Sequence, residues 1–97
     1  MSPEALRSST TAARPPAGLN PPLQALWHEA KGDWATAHHI VMNAQSAAAA
    51  WVHAYLHRKE GDLDNARYWY RKAKRPEATG TLEAEWTAIA EALLGQP

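Results

Sequence analysis

The sequence contains no cysteine and no phenylalanine. The absence of cysteine excludes disulfide bonds, thiolate metal sites and thiol nucleophiles. Ten Lys and Arg residues balance ten Asp and Glu residues, so the formal net charge is zero with histidine neutral. This balance argues against attraction of the whole surface to nucleic acid or to an anionic membrane. Because no apolar run could span a bilayer and the N-terminus lacks the hydrophobic stretch of a secretory signal, we expect a cytoplasmic protein that does not bind membranes.

The 97 residues are enough for one domain with a thin core. Residues 1–18 are rich in Ser, Thr, Pro and Ala and show no apolar period, so we predict a disordered N-terminal tail there. From 19 to 97, apolar residues recur at helical spacing, and no segment alternates with a period of two. These patterns predict an all-α domain over 19–97.

Helix start signals divide this domain into five helices. Asn20, Asp33, Ser46 and Thr81 each precede a segment with helical apolar spacing, and all four are residue types favoured at the N-cap. Gly and Pro residues between these segments favour helix ends and turns. The predicted helices cover 21–31, 34–44, 47–60, 63–74 and a segment that begins at 82.

The dipeptides Gly32-Asp33 and Gly61-Asp62 mark an internal repeat. Aligning them pairs identical residues on both sides: Ala25 with Ala54, His28 with His57, Ala37 with Ala66, and Ala44 with Ala73.

This pattern of Gly-Asp, a large apolar residue and two spaced alanines resembles the tetratricopeptide repeat. The ending Tyr70-Arg71-Lys72-Ala73 resembles the second helix of a Sel1-type repeat. The resemblance implies two antiparallel helix hairpins of tetratricopeptide type with a C-terminal capping helix. The offset between the repeats is shorter than the usual period, so the connection between hairpins must be tight. The run from His53 to Asp62 is also similar to one in small uncharacterised bacterial proteins.

In the tetratricopeptide family, the first helix of each hairpin lines a concave groove, which places Trp51, Tyr55, Arg58 and Lys59 on the groove. Aromatic rings beside two cations suit an acidic peptide or protein. The alternative is that Tyr55 is buried and both cations are solvated. The resemblance implies a non-catalytic protein-interaction module with these four partner-binding residues. A second copy of the chain is another candidate partner, which would make a homodimer.

His53 and His57 are four residues apart, so both rings can lie on one face of a helix, which is the spacing of a two-histidine metal grip. A third ligand could be Glu60, His28, His38 or His39. The structural alternative is that His57 and His28 interact with free carbonyls in the last turn of their helices. The second hypothesis is therefore a small metal- or ligand-binding protein using His53 and His57, and the structural role is the alternative to it.

The third hypothesis is an accessory RNA-binding protein. Five cations form a basic run along and just after the fourth predicted helix, with aromatic residues among them that could stack on bases. The neutral charge of the chain argues against nucleic acid as a partner, and a solvated helix face explains the cations equally well. No nucleophile–base pair or phosphate loop is present, so we predict no catalysis and no cofactor. The residues are Arg67, Arg71, Lys72, Lys74 and Arg75, with Tyr68, Trp69 and Tyr70.

Overall fold

The computed structural model describes residues 1–95, which contain helices and no β-strand. This confirms the all-α fold class. The helices are α1 (Pro3–Ser8), α2 (Pro21–Ala30), α3 (Trp34–Val41), α4 (Ala47–Glu60), α5 (Leu63–Ala73) and α6 (Leu82–Leu94), with a short 3₁₀ turn at Ser9–Thr11.

Helices α2 to α6 correspond to the five predicted helices, and each begins at a side-chain cap. Asn20, Asp33, Ser46 and Thr81 accept hydrogen bonds from the backbone N–H three residues on, as predicted. The end of α3 differs from the prediction: it lies at Val41, and a turn follows where the sequence pattern predicted helix to residue 44. Local cap chemistry therefore fixes the starts of these helices better than their ends.

The two Gly-Asp junctions of the repeat have the same local geometry. Gly32 and Gly61 have φ angles of +96° and +89°, which favour glycine. At each junction the Asp N–H donates to the carbonyl of the histidine five residues earlier, over 2.8 Å to His28 and 2.9 Å to His57. The turns of the repeat are thus equivalent, while a tetratricopeptide-type arrangement of the whole chain stays a prediction.

Helix α4 is the central element of the bundle and contacts α2, α3, α5 and α6. Every residue from Ala49 to His57 is buried. A helix that is covered on all sides shows no amphipathic stripe, because no face is reserved for solvent. The sequence of α4 therefore carries both the core of the protein and the polar side chains that must be satisfied inside it.

The N-terminal segment packs against this bundle, so the prediction of a disordered tail over 1–18 is wrong for residues 3–11. The Leu6 side chain is fully buried in the core. The indole N–H of Trp27 donates to Ser9 Oγ over 3.0 Å, and Lys31 Nζ donates to the Thr10 carbonyl over 2.9 Å. One buried leucine anchors the segment, and a single apolar residue produces no period in the sequence.

Substituting Leu6 with alanine should reduce the free energy of unfolding by about 2–5 kcal/mol, because it removes a fully buried side chain and leaves a cavity. Urea denaturation followed by circular dichroism measures this difference. Leu63→Ala is the matched control, because Leu63 begins α5 and is 47% exposed. Equal effects of the two substitutions would show that the N-terminal segment does not dock.

Candidate metal centre

Three histidine rings meet between α3 and α4. His53 and His57 lie one helical turn apart on α4, so their rings project from the same face, as the spacing predicts. His38 reaches them from α3, which packs against α4 after the turn at residues 42–46. We call these three residues the histidine cluster.

The nitrogen atoms of the cluster lie close together. His53 Nε2 is 3.1 Å from His38 Nε2, and one ligand nitrogen from each of the three rings lies within 4.8 Å of the others. The His53 ring centroid is 4.8 Å from that of His57, and the His38 and His57 centroids are 5.2 Å apart. Three imidazoles from two helices therefore converge on one small volume.

Two tryptophans hold the rings in place. Trp34 stacks on His38 with 4.9 Å between ring centroids, and Trp69 stacks on His53 at 3.9 Å. The Trp34 indole N–H also donates to the Leu56 carbonyl over 2.9 Å, which ties the N-terminal turn of α3 to α4. Sequence reasoning missed both tryptophans, although the four-residue spacing of Trp34 and His38 on one helix was a signal for this pair.

The remaining ring nitrogens differ in their partners. His57 Nδ1 is 3.2 Å from a carboxylate oxygen of Glu60. If Nδ1 carries the proton, this contact is a hydrogen bond and leaves Nε2 with a free lone pair. His53 Nδ1 is buried and has no hydrogen-bond partner within residues 1–95. Leaving a buried polar atom without a partner costs free energy. His53 therefore has a ring nitrogen that none of the described residues uses as a hydrogen-bond partner.

The environment favours neutral imidazoles. Burial, with the nearby rings of His57 and His38 as further causes, lowers the pKa of His53 to about 4. Burial and the neighbouring His57 also lower the pKa of His38. Both rings are therefore neutral at pH 7, which is the form that donates a lone pair to a metal ion.

Stability should fall as the pH drops from about 6.5 toward 4. In the unfolded chain, histidine titrates near pH 6.5, whereas the pKa of His53 in the folded protein is about 4. Between these values the unfolded state binds more protons, so acid favours unfolding. Urea midpoints at pH 7 and pH 5 measure the effect. His53→Phe, which retains a ring against Trp69, should flatten the dependence, and His39→Ala should leave it unchanged; a midpoint independent of pH would contradict the buried, neutral cluster.

The other candidate ligands lie outside the cluster. His39 is exposed on α3, as expected for a residue about 100° around the helix from His38. His28 packs its ring edge against Trp27, with 5.0 Å between the ring centroids. The repeat pairs His28 with His57, but their side chains have different surroundings. The expected contact between the His57 ring and a free carbonyl is replaced by the Glu60 carboxylate.

The four predicted groove residues do not share one groove, so the prediction of a common lining is wrong. Trp51 borders a cavity next to segment 75–81 and α6, but Tyr55, Arg58 and Lys59 do not line that cavity. Trp51 and Tyr55 are buried. The Arg58 side chain is 16% exposed and pairs with the buried Glu85 over 2.9 Å, and Lys59 pairs with the buried Glu29. The resemblance assigned one face of α4 to solvent, whereas α2 and α6 cover it. These residues are parts of the core and of its ion pairs.

The basic face of α5 has only some of its side chains available for binding RNA. Tyr70 is buried and its hydroxyl donates to Glu85 over 2.5 Å, while Trp69 stacks on His53. Arg67 pairs with Asp64 and Glu77. Tyr68 is the one aromatic residue of this helix with a large exposed surface, so the RNA hypothesis loses most of its stacking groups and stays a prediction.

Comparison of the chain with protein-family models, with curated protein sequences and with solved structures found no match. The tetratricopeptide resemblance therefore depends only on the Gly-Asp repeat with its aligned alanines and on the ending Tyr70-Arg71-Lys72-Ala73. In the part of the chain that the structure describes, no helix combines the length and the hydropathy needed to cross a membrane.

Proposed function

We propose that the protein binds one transition-metal ion through His38, His53 and His57. The convergence of three imidazole nitrogens within 4.8 Å supports this proposal. Nitrogen ligands at about 2.0–2.1 Å from a tetrahedral zinc ion lie roughly 3.4 Å apart. The His38–His53 separation of 3.1 Å is close to that value. No separation exceeds 4.8 Å, so the ligand atoms need to approach by at most about 1.4 Å, which rotation of the rings can supply.

The donor set defines the class of ion. Imidazole nitrogens suit Zn²⁺, Cu²⁺ and Ni²⁺, whereas Mg²⁺ and Ca²⁺ prefer carboxylate and carbonyl oxygens. The sequence contains no cysteine that could add a thiolate. We therefore expect binding of zinc, copper or nickel and no competition from millimolar magnesium.

The contact between Glu60 and His57 is the arrangement that supports a ligating histidine. A carboxylate that accepts from one ring nitrogen orients the ring and raises the basicity of the other nitrogen. Here the carboxylate lies 3.2 Å from Nδ1, which leaves Nε2 for the metal. Glu60 is one of the four residues that the sequence offered as a third ligand. In this proposal it does not bind the metal and instead orients the ring of His57.

Protonation state also favours binding. The lowered pKa values of His53 and His38 mean that neither ring needs to lose a proton at pH 7 before it can bind a cation. Burial strengthens the electrostatic interaction with an ion once it is bound. The proposal covers binding and includes no reaction. A protein-interaction function stays a prediction, now without a surface assigned to it.

Calorimetric titration with Zn²⁺, Ni²⁺ and Cu²⁺ at pH 7 tests the proposal. We expect one site per chain and a dissociation constant in the micromolar range or tighter for at least one ion. His38→Ala removes one ligand and should weaken binding by about a hundredfold or more, since even loss of a supporting partner costs about 10–100-fold. His39→Ala is the matched control, because it removes the adjacent exposed histidine and should leave the affinity unchanged.

Glu60→Gln provides a second test that retains all three rings. It should weaken binding by about tenfold, because an amide is a poorer acceptor for the His57 N–H than a carboxylate. Binding only at millimolar concentration, or equal losses in the His38 and His39 variants, would show that the cluster is a structural stack of rings joined by a histidine–histidine hydrogen bond.

A further inference from the structure

A cavity on another part of the surface shares no residue with the histidine cluster. It is an apolar groove between α4, the irregular segment 75–81 and α6, with a volume of about 480 Å³. Trp51 of α4 and two alanines of α6, Ala84 and Ala88, lie along it. Cavities of roughly 300–1,000 Å³ with mainly apolar walls are typical of sites for small organic molecules.

Arg75 gives this groove a positively charged rim. Its guanidinium carbon lies 3.8 Å from the centre of the Trp51 ring, so the charged group is held against the indole. The side chain is exposed, and within residues 1–95 it forms no ion pair with a carboxylate. A guanidinium has five N–H donors in a planar fork that matches a carboxylate. The stacking fixes the position of Arg75 and leaves those donors for a ligand.

The two carboxylates along the groove do not compete for Arg75. Glu85 is bound by Arg58 and by the Tyr70 hydroxyl. Glu77 pairs with Arg67. Arg75 is therefore the one uncompensated charge among the described residues that line the groove, and its charge selects an anion.

We propose that this groove binds a small organic carboxylate with an apolar body. The carboxylate pairs with the Arg75 guanidinium in the forked geometry that charge-assisted hydrogen bonds favour. The apolar body lies along Trp51, Ala84 and Ala88, where it displaces water from apolar surface. This inference is independent of metal binding, because the groove and the histidine cluster lie on different residues.

The test uses decanoate as the probe. Two comparison compounds each carry half of it: acetate has only the charge, and decanol has only the apolar chain. Nuclear magnetic resonance titration follows the Gly80 amide and the Trp51 indole N–H, because both residues line the groove. We expect decanoate to shift both signals in a saturable manner, with acetate and decanol binding at least about tenfold more weakly, because each lacks one half of the interaction.

Arg75→Gln should weaken decanoate binding by about tenfold or more and leave decanol unaffected. Lys72→Gln is the matched control: it removes one positive charge from the end of α5, but Lys72 does not line the groove. The proposal is overturned if decanoate shifts neither signal, if decanol binds as well as decanoate, or if the two charge substitutions have the same effect.

Discussion

Reversing the charges of Arg58 and Lys59 together, with Arg58→Glu and Lys59→Glu, should unfold the protein. Each new carboxylate would lie against an existing one, at Glu85 and at Glu29, whose side chains are 5% and 3% exposed. Removing one partner of a buried ion pair costs about 3–5 kcal/mol, and a like charge adds repulsion. The Lys59 side chain is 43% exposed, so solvent screening reduces the destabilisation expected from its substitution. The sum still approaches the whole stability of a small domain, about 5–15 kcal/mol.

Circular dichroism at the helix minimum and urea denaturation measure the outcome. The matched control is Arg71→Glu with Lys72→Glu, which makes the same change in net charge on the exposed face of α5, where neither residue forms an ion pair within residues 1–95. We expect this control to fold. A folded Arg58 and Lys59 variant with a urea midpoint near that of the unchanged protein would mean that both cations are solvated, as a groove requires.

Zinc should raise the unfolding temperature by roughly 10–20 °C when its free concentration is about 100 times the dissociation constant. A ligand at that concentration that binds only the folded state stabilises it by about 2.7 kcal/mol, and 1 kcal/mol corresponds to roughly 4–8 °C for a domain of this size. The folded chain brings the three histidines within 4.8 Å, and the unfolded chain does not hold them together. Thermal denaturation with zinc and with excess chelator measures the shift.

The His38→Ala variant separates specific from unspecific stabilisation. It removes the proposed ligand on α3, so the shift with zinc should nearly disappear, while the His39→Ala variant should retain it. A shift of the same size in both variants would place the metal elsewhere on the chain.

The helices could be predicted because their start signals are local. A cap such as Asn20 or Ser46 binds the N–H three residues on, so its own sequence neighbourhood is sufficient to specify it. The docking of α1 could not be predicted in this way. It depends on Leu6 entering a core formed by distant helices, and on Trp27 and Lys31 reaching residues 9 and 10.

The prediction that these residues line a groove failed for a related reason. The register of the repeat correctly aligned the two Gly-Asp turns, but it carried no information on which elements cover α4. Its Ala-rich sequence has no polar stripe, which is itself the signature of a helix buried on all sides. Arg58 and Lys59 are tolerated there because Glu85 and Glu29 neutralise them.

Half of the histidine cluster could be predicted from the sequence. The spacing of His53 and His57 placed two rings on one face, and the sequence left the third ligand open among four residues. Only the packing of α3 on α4 selects His38 over His28 and His39, because the choice depends on the angle at which the two helices meet. The burial that keeps these rings neutral is likewise a property of the folded bundle.

Diffraction data collected at the zinc absorption edge, from crystals grown with one equivalent of Zn²⁺, test the central claim most directly. The account predicts one anomalous peak between α3 and α4, with a nitrogen of each histidine of the cluster at about 2.0–2.1 Å. A peak bound only by exposed groups such as His39, with the rings of His38 and His53 still 3.1 Å apart in direct contact, would contradict it.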